Sequence, residues 1–218
     1  MTKRKPSRSA KSVTPVTPEV GRREANKEDK RARIIDAAWR LFGEQGVAAT
    51  TTADIATRAG IAKGTLFLYA TDKEDLVFLM MHDRLQATSD EVLSTVPKKA
   101  SLVDQLVHVF GGLYALYESC GDVGKTFVKA LPGAAGPNAA KVNGMTFAFL
   151  HRVAALVIEA QTRGEVRSDV DVMIAAQSIF ALYFSGIVAW IQGIATIDEA
   201  REVFLRQSLE QLFRGLRS

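Results

Sequence analysis

An all-α protein is what the 218-residue sequence predicts, and three observations carry that prediction. Apolar residues recur at intervals of three and four in one segment after another, the spacing of a single helix face. Glycine, proline and small polar clusters separate those segments. No stretch alternates apolar and polar residues over the length of a strand.

The first 33 residues hold 11 Lys+Arg against 4 Asp+Glu, while the remainder holds 17 against 20, so the basic balance comes from the N-terminal end. Residues 1–26, rich in Lys, Arg, Ser, Thr and Pro, offer little to bury and read as a disordered basic arm. Pro6, Pro15 and Pro18 discourage regular structure there. The charged start is followed by no apolar run, so no secretory signal is expected. Arg22, Arg23, Lys27, Lys30, Arg31 and Arg33 precede the first helical pattern directly. Such a run suits an anionic partner, DNA phosphates or a minor groove among them.

The first helical pattern places Ile34, Ile35, Ala38, Leu41 and Phe42 on one face and stops near Gly46, a residue that accepts the backbone of a helix end. A second, brief pattern covers 53–59 behind Thr51 and Thr52 as candidate N-caps. Ile55, Ala56 and Ala59 face inward, Gly60 ends it and Ile61 plugs the corner. A third runs over 63–69. Two short helices joined by a tight glycine turn are the sequence form of a helix-turn-helix, here at about 51–70. Lys63, Gly64 and Thr65 open its second helix. Gly64 permits close backbone approach to a rigid partner, and Lys63 and Thr65 can hold phosphate oxygens. Asp72 or Thr71 caps a fourth helix over 73–94. Lys73 on its first turn opposes the helix dipole, which makes better sense beside an anion.

In the fourth helix Leu76, Met80, Leu85 and Val92 face inward, and Pro97 marks its end. Ser101 followed by Asp104 is a capping signal. Leu102, Leu106, Val109, Leu113 and Leu116 then recur at helical spacing up to Cys120, where Gly121 breaks the pattern. A short helix over 123–131 ends at Pro132-Gly133, residues 134–137 form a loop, and a long helix covers 139–163. One side of it carries Phe149, Arg152 or Val153, Leu156 and Ala160, and Gly164 stops it. No charged residue lies between Asp171 and Asp198. A run of that length could span a bilayer. Gln177, Ser178, Ser185, Gln192 and Thr196 are spread along it, and no basic cluster flanks it. These features favour a helix buried on nearly every side, part of it against a second subunit. The last helix, 198–216, has Leu205, Leu209, Leu212 and Leu216 as its stripe, with acidic residues at its start and arginines at its end as the dipole prefers.

Catalytic chemistry finds no support. His82, His108 and His151 fall on three different helices, without cysteines or carboxylates at metal-ligand spacing. No phosphate loop or nucleophile elbow occurs. The single cysteine, Cys120, excludes an internal disulfide framework and fits a cytoplasmic protein. No metal and no cofactor is expected.

The segment around the helix-turn-helix resembles the DNA-binding domain of the TetR family of bacterial transcriptional repressors. The resemblance runs through Ile35, Ala38, Leu41, Phe42 and Gly46, then Thr51, Thr52, Ile55, Ala56, Ala59, Gly60 and Ile61. It continues through Lys63-Gly64-Thr65-Leu66 and Lys73-Glu74-Asp75-Leu76. It implies a second helix against the DNA backbone, a third in the major groove, and a homodimer on a near-palindromic operator. Carried over position by position, Thr52, Lys63, Gly64, Thr65, Phe67, Tyr69 and Lys73 become DNA contacts, with Arg33 added from the basic run. The sequence departs from the family pattern at Ala62, where a capping Ser is usual, at Phe67, where Tyr is usual, and at Ala70, where Phe is usual. Phe67 keeps a ring contact and gives up a hydrogen bond of about 1 kcal/mol. Leu68 or Phe67 is expected to fill the space left at Ala70.

The resemblance also implies that the helical body binds an effector and that the last two helices form the dimer interface. An apolar or aromatic effector is expected between the helices that begin near Ser101, Ala139 and Asp171. Phe110, Tyr114, Tyr117, Phe147, His151, Phe180 and Phe184 are its candidate contacts, with Tyr114, Tyr117 and His151 as polar handles. The expected organisation is therefore an arm over 1–26, a DNA-binding head over 27–75, and an effector-binding, dimerising body over 76–218. Two other readings stay open at this point. One is an architectural DNA binder without an effector; the other is a membrane-attached regulator using residues 172–197.

Overall fold

A computed structural model describes residues 18–216, and the side chains of residues 21–215. Among the described residues every regular element is helical. The head comprises α1 (Pro18–Ala49), α2 (Thr52–Arg58) and α3 (Lys63–Leu66). The body follows as α4 (Lys73–Ser94), α5 (Leu102–Ser119), α6 (Gly121–Ala130), α7 (Pro137–Thr162) and α8 (Val172–Ile191). The last helix, α9, changes register within itself. Ile197–Glu199 is α-helical, Ala200–Gln207 is a π-helix, and Ser208–Leu216 returns to α.

The caps read from the sequence are present. Thr51 Oγ1 accepts from the Asp54 amide while Asp54 Oδ2 accepts from the Thr51 amide at 3.0 Å, a reciprocal capping box on α2. Asp72 accepts from the Asp75 amide to start α4, and Ser101 accepts from the Asp104 amide to start α5. Asp171 adds a cap that the sequence reading did not single out, accepting from Met173 and Ile174 to start α8. Each cap satisfies donors that a helix start leaves orphaned. Gly46 breaks α1 with φ 82°, which turns the chain from the head's long helix towards α2.

One hydrophobic core runs from head to body. Ile34, Ala38, Phe42, Ile55, Ala56 and Leu66 fill the head, and Leu76 and Phe78 on α4 continue it. In the body α7 packs on α4 and α8, and α5 packs on α4 and the π-helical part of α9.

The arm differs from expectation. α1 begins at Pro18, so 18–26 is helical and not disordered, and 1–17 lies outside the described residues. A proline is tolerated at the first turn, where its missing N–H would have no partner anyway. The third helix is shorter than 63–69 and ends at Leu66, with Phe67 as its C-cap.

By length and apolar composition α7 and α8 could each cross a membrane. Both put one side into the core: Ala175, Ala176, Ile179, Tyr183, Gly186 and Ile187 of α8 are buried. The opposite side of α8 leaves Ile174, Gln177, Ala181 and Ser185 exposed.

Candidate nucleic-acid interface and ligand cavity

The surface of the head divides the eight expected DNA contacts into two groups. Lys63, Gly64 and Phe67 are exposed, and Thr52 and Thr65 are half-buried, all on α2 and α3 or at their ends. A Cβ added at Gly64 would meet nothing within the protein. No internal packing requires glycine there, so any steric reason for it lies outside the chain. Ala62 gives α3 no side-chain cap.

Arg33, Tyr69 and Lys73 form the other group, each hydrogen-bonded within the head. Lys73 Nζ donates to the carbonyls of Val47 at 2.7 Å, Ala48 at 3.0 Å and Thr50 at 3.1 Å. An ammonium has three protons, and all three are used on the turn between α1 and α2. Arg33 Nη2 donates to the carbonyls of Ala59 and Gly60, the latter at 3.0 Å, and closes the end of α2. The Tyr69 hydroxyl donates to the Lys27 carbonyl at 3.1 Å. That bond brings the exposed early turns of α1, with Lys27 and Lys30, beside the end of the helix-turn-helix. Arg31 is likewise engaged, with Asp83 at 2.7 Å and Glu28 at 3.2 Å. Arg58 and Glu44 form a two-pronged ion pair between α2 and α1, and the Arg58 hydrogen bond holds the Glu44 carboxyl below its usual range. Leu68, 83% exposed, does not fill space at Ala70, which is buried against the core.

Two carboxylates join head and body. Asp122, on the first turn of α6, accepts from the Val47 amide at 2.9 Å, next to the Gly46 break. Asp75, on α4, is fully buried. It accepts from the Thr71 amide at 3.1 Å, from the Asn138 amide at 2.9 Å and from Asn138 Nδ2 at 2.9 Å. Its charge thereby sits at the N-terminus of α7, where the helix dipole favours an anion. Asn138 Nδ2 also donates to the Tyr69 carbonyl at 2.7 Å. A Cβ at Gly136 would lie 2.6 Å from Asp75 Oδ1, and its φ of 109° suits glycine. The first turns of α6 and α7 are thus each hydrogen-bonded to the head.

The same two helices wall a cavity of about 340 Å³. α4 contributes Leu85 and Ser89; α5 contributes Leu113 and Tyr117; α6 contributes Phe127. Asn143, Thr146 and Phe149 come from α7, and Phe180, Tyr183, Phe184 and Ile187 from α8. None of the described residues lining it is charged. The volume falls at the small end of the range for small-molecule sites, and the apolar wall with a few polar groups is their usual composition.

Of the expected effector contacts, Tyr117, Phe180 and Phe184 line this cavity. Phe110 and Tyr114 do not: both are buried, in tilted contact with Tyr183 at 4.5 Å and 5.1 Å between ring centroids. The Tyr114 hydroxyl is spent on the Tyr183 carbonyl at 2.8 Å. Phe147 (68% exposed) and His151 lie on the outer face of α7. Phe149 is the inward residue, because two helical steps turn a side chain by about 200°. Its place on the stripe with Val153 and Leu156 was a usable signal. Tyr183, Ser89 and Leu85 carried none, since their partners come from other helices. Among the described residues no group of His, Cys, Asp and Glu could hold a metal.

Residues 34–80 match the family model described as bacterial regulatory proteins, tetR family. The fatty acid metabolism regulator protein of Bacillus subtilis (strain 168) is 24% identical over 172 residues, which is 79% of this chain and 89% of that protein. The HTH-type transcriptional regulator TtgR of Pseudomonas putida is 40% identical over 73 residues, 34% of each chain. Among solved structures, Thermus thermophilus FadR, a TetR family transcriptional repressor in complex with lauroyl-CoA, superposes with TM-score 0.66 at 24% identity, covering 83% of this chain and 93% of that one. Bacillus subtilis FadR in complex with stearoyl-CoA gives TM-score 0.61 at 22% identity over 80% and 97%. These likenesses in structure establish a shared fold.

Proposed function

We propose, from the match of residues 34–80 to the model of the tetR family of bacterial regulatory proteins, that the chain is a cytoplasmic, DNA-binding transcriptional repressor that a small, largely apolar effector releases from its operator. Residues 27–75 form the DNA-binding part and residues 76–218 the sensing and dimerising part. Lys63, Gly64 and Thr65 enter the major groove, Thr52 and Phe67 meet the flanking backbone, and Lys27 and Lys30 add charge beside them. Arg33, Tyr69 and Lys73 fix the geometry of this surface and do not touch DNA.

The protein acts as a homodimer. A single α3 is too small to give useful affinity, whereas two heads on half-sites about 34 Å apart bind together. The exposed stripe of α8 (Ile174, Gln177, Ala181, Ser185) and the neighbouring stripe of α9 (Val203, Gln207, Gln211) carry no charge. Uncharged, they suit a four-helix junction between two protomers.

One observation carries the effector reading. The cavity is walled by α6 and α7, and the first turns of both are bonded to the head through Asp122 and through Asp75 with Asn138. A ligand that spreads these helices favours a different head position. It releases DNA to the extent that its affinity differs between the two arrangements. The acyl-CoA complexes of the two FadR proteins support an acyl-type occupant.

The test is a fluorescence-anisotropy titration of DNA flanking the protein's own gene, with and without octanoyl-CoA. Binding at nanomolar protein, weakened about 5- to 150-fold by the ligand, is expected for a coupling of about 1–3 kcal/mol. Affinity that does not vary with DNA sequence would point to an architectural binder. Affinity indifferent to every cavity ligand would remove the effector.

A further inference from the structure

The ligand cavity holds a polar pair that its apolar walls do not need. Tyr117 on α5 and Tyr183 on α8 both line it, and their hydroxyls meet at 3.2 Å. They are 5% and 2% exposed. Among the described residues neither hydroxyl has another partner. Two hydroxyls own two protons, and the bond between them uses one. Whichever way that bond runs, one O–H is left to donate in a place where an unpaired polar group is costly. Tyr114, the third tyrosine of the cluster, is already satisfied by the Tyr183 carbonyl. Burial pushes the Tyr117 phenol up to about 12 and Tyr183 in the same direction, so both are neutral donors at physiological pH.

What the pair asks for is an acceptor, and the rest of the cavity limits which one. Among the described residues no lining side chain is cationic. A carboxylate placed there would be a desolvated charge without a counter-ion. A neutral oxygen meets no such penalty. We propose that the cavity selects a neutral carbonyl compound with an apolar body, an ester, thioester or ketone, whose oxygen accepts a hydrogen bond from the Tyr117–Tyr183 pair, and that it rejects the corresponding free carboxylate. The proposal rests on the reading of this cavity as the effector site and names the ligand chemistry that site reads.

Calorimetric titration of the purified full-length protein with methyl octanoate, octanoate and n-nonane at neutral pH tests it, in the wild type and in the Y117F, Y183F and Y117F/Y183F variants. In the wild type methyl octanoate should bind about fivefold or more tighter than nonane, the worth of one ordinary hydrogen bond, and octanoate should bind more weakly than either. The double variant should lose the ester-over-nonane preference; each single variant, which keeps one hydroxyl, should retain part of it. A double variant that keeps the full preference, or a wild type that binds octanoate as tightly as the ester, overturns the proposal and leaves the effector site standing. A wild type that binds none of the three overturns both. If the double variant does not fold, the wild-type ratios alone decide. Octanoyl-CoA in parallel separates two sources of the same carbonyl: tighter binding than the methyl ester assigns a carrier-linked thioester, equal binding a free ester.

Discussion

Replacing Asn138 with Ala isolates the link between the ligand-sensing body and the end of the helix-turn-helix. Asn138 is buried, and its Nδ2 makes two bonds, to Asp75 Oδ2 at 2.9 Å and to the Tyr69 carbonyl at 2.7 Å. The substitution removes both and leaves the backbone amide on Asp75 Oδ1 in place. The bond to a carboxylate is worth about 1.5–3 kcal/mol and the neutral one about 0.5–1.5 kcal/mol. A loss of roughly 2–4 kcal/mol follows, since among the described residues the buried Asp75 keeps the Thr71 amide as its only donor on that oxygen. Urea unfolding at fixed protomer concentration reads it. With a slope of about 2 kcal/mol per molar, the midpoint should fall by about 1–2 M with the slope unchanged. The variant should also bind operator with a smaller response to cavity ligands, because α7 is no longer tied to Tyr69. A midpoint within about 0.2 M of wild type would refute the reasoning, for it would mean that water or a neighbouring donor replaces the side chain without cost.

Other consequences are as specific. Lys63→Ala should weaken operator binding and flatten its dependence on log salt by about 2 for a dimer, since each head loses one phosphate contact; an unchanged slope would place Lys63 off the DNA. Lys73→Met should leave that slope alone and lower stability instead, seen as a drop in melting temperature, because three carbonyls lose their shared donor. Ala181→Arg should give monomers in sedimentation equilibrium and cost operator affinity about 100-fold or more through lost bivalency. A dimer that persists would move the interface elsewhere. For pH, the folded state binds the Tyr117 proton more tightly than the unfolded state, whose phenol titrates near its ordinary value of 10. The stabilisation is therefore complete below pH 10 and is lost as pH rises towards 12, by roughly 3 kcal/mol for a two-unit shift. Urea midpoints between pH 9 and about 12 should fall in wild type, and less steeply in Y117F.

The helical architecture was legible because each start carries its own chemistry: Thr51 with Asp54, Asp72 with Asp75, Ser101 with Asp104. Caps act over three residues, so sequence alone displays them. The hydrogen bonds that Arg33, Tyr69 and Lys73 make within the head were not legible. Their acceptors are backbone carbonyls 23 to 42 residues away, and a carbonyl has no signature in the sequence. A cation or hydroxyl near a DNA-binding motif looks alike whether it serves the DNA or the fold. The cavity was half legible for a similar reason. Aromatic content marked the right helices, and α7's periodicity distinguishes Phe149 from Phe147, but α4's contribution and the meeting of Tyr117 with Tyr183 depend on tertiary packing. The π-helical register of α9 left no pattern distinct from an ordinary amphipathic helix.

The placement of α3 on DNA is tested most directly by footprinting the DNA that flanks the protein's own gene, with wild type and with a Lys63→Ala, Thr65→Ala double variant side by side. Two protected half-sites, about one helical turn apart between centres, are expected for the wild type, with protection lost in the variant at the same protein concentration. Protection that survives the double substitution, or a single unpaired protected segment, would contradict both the recognition surface and its duplication in a dimer.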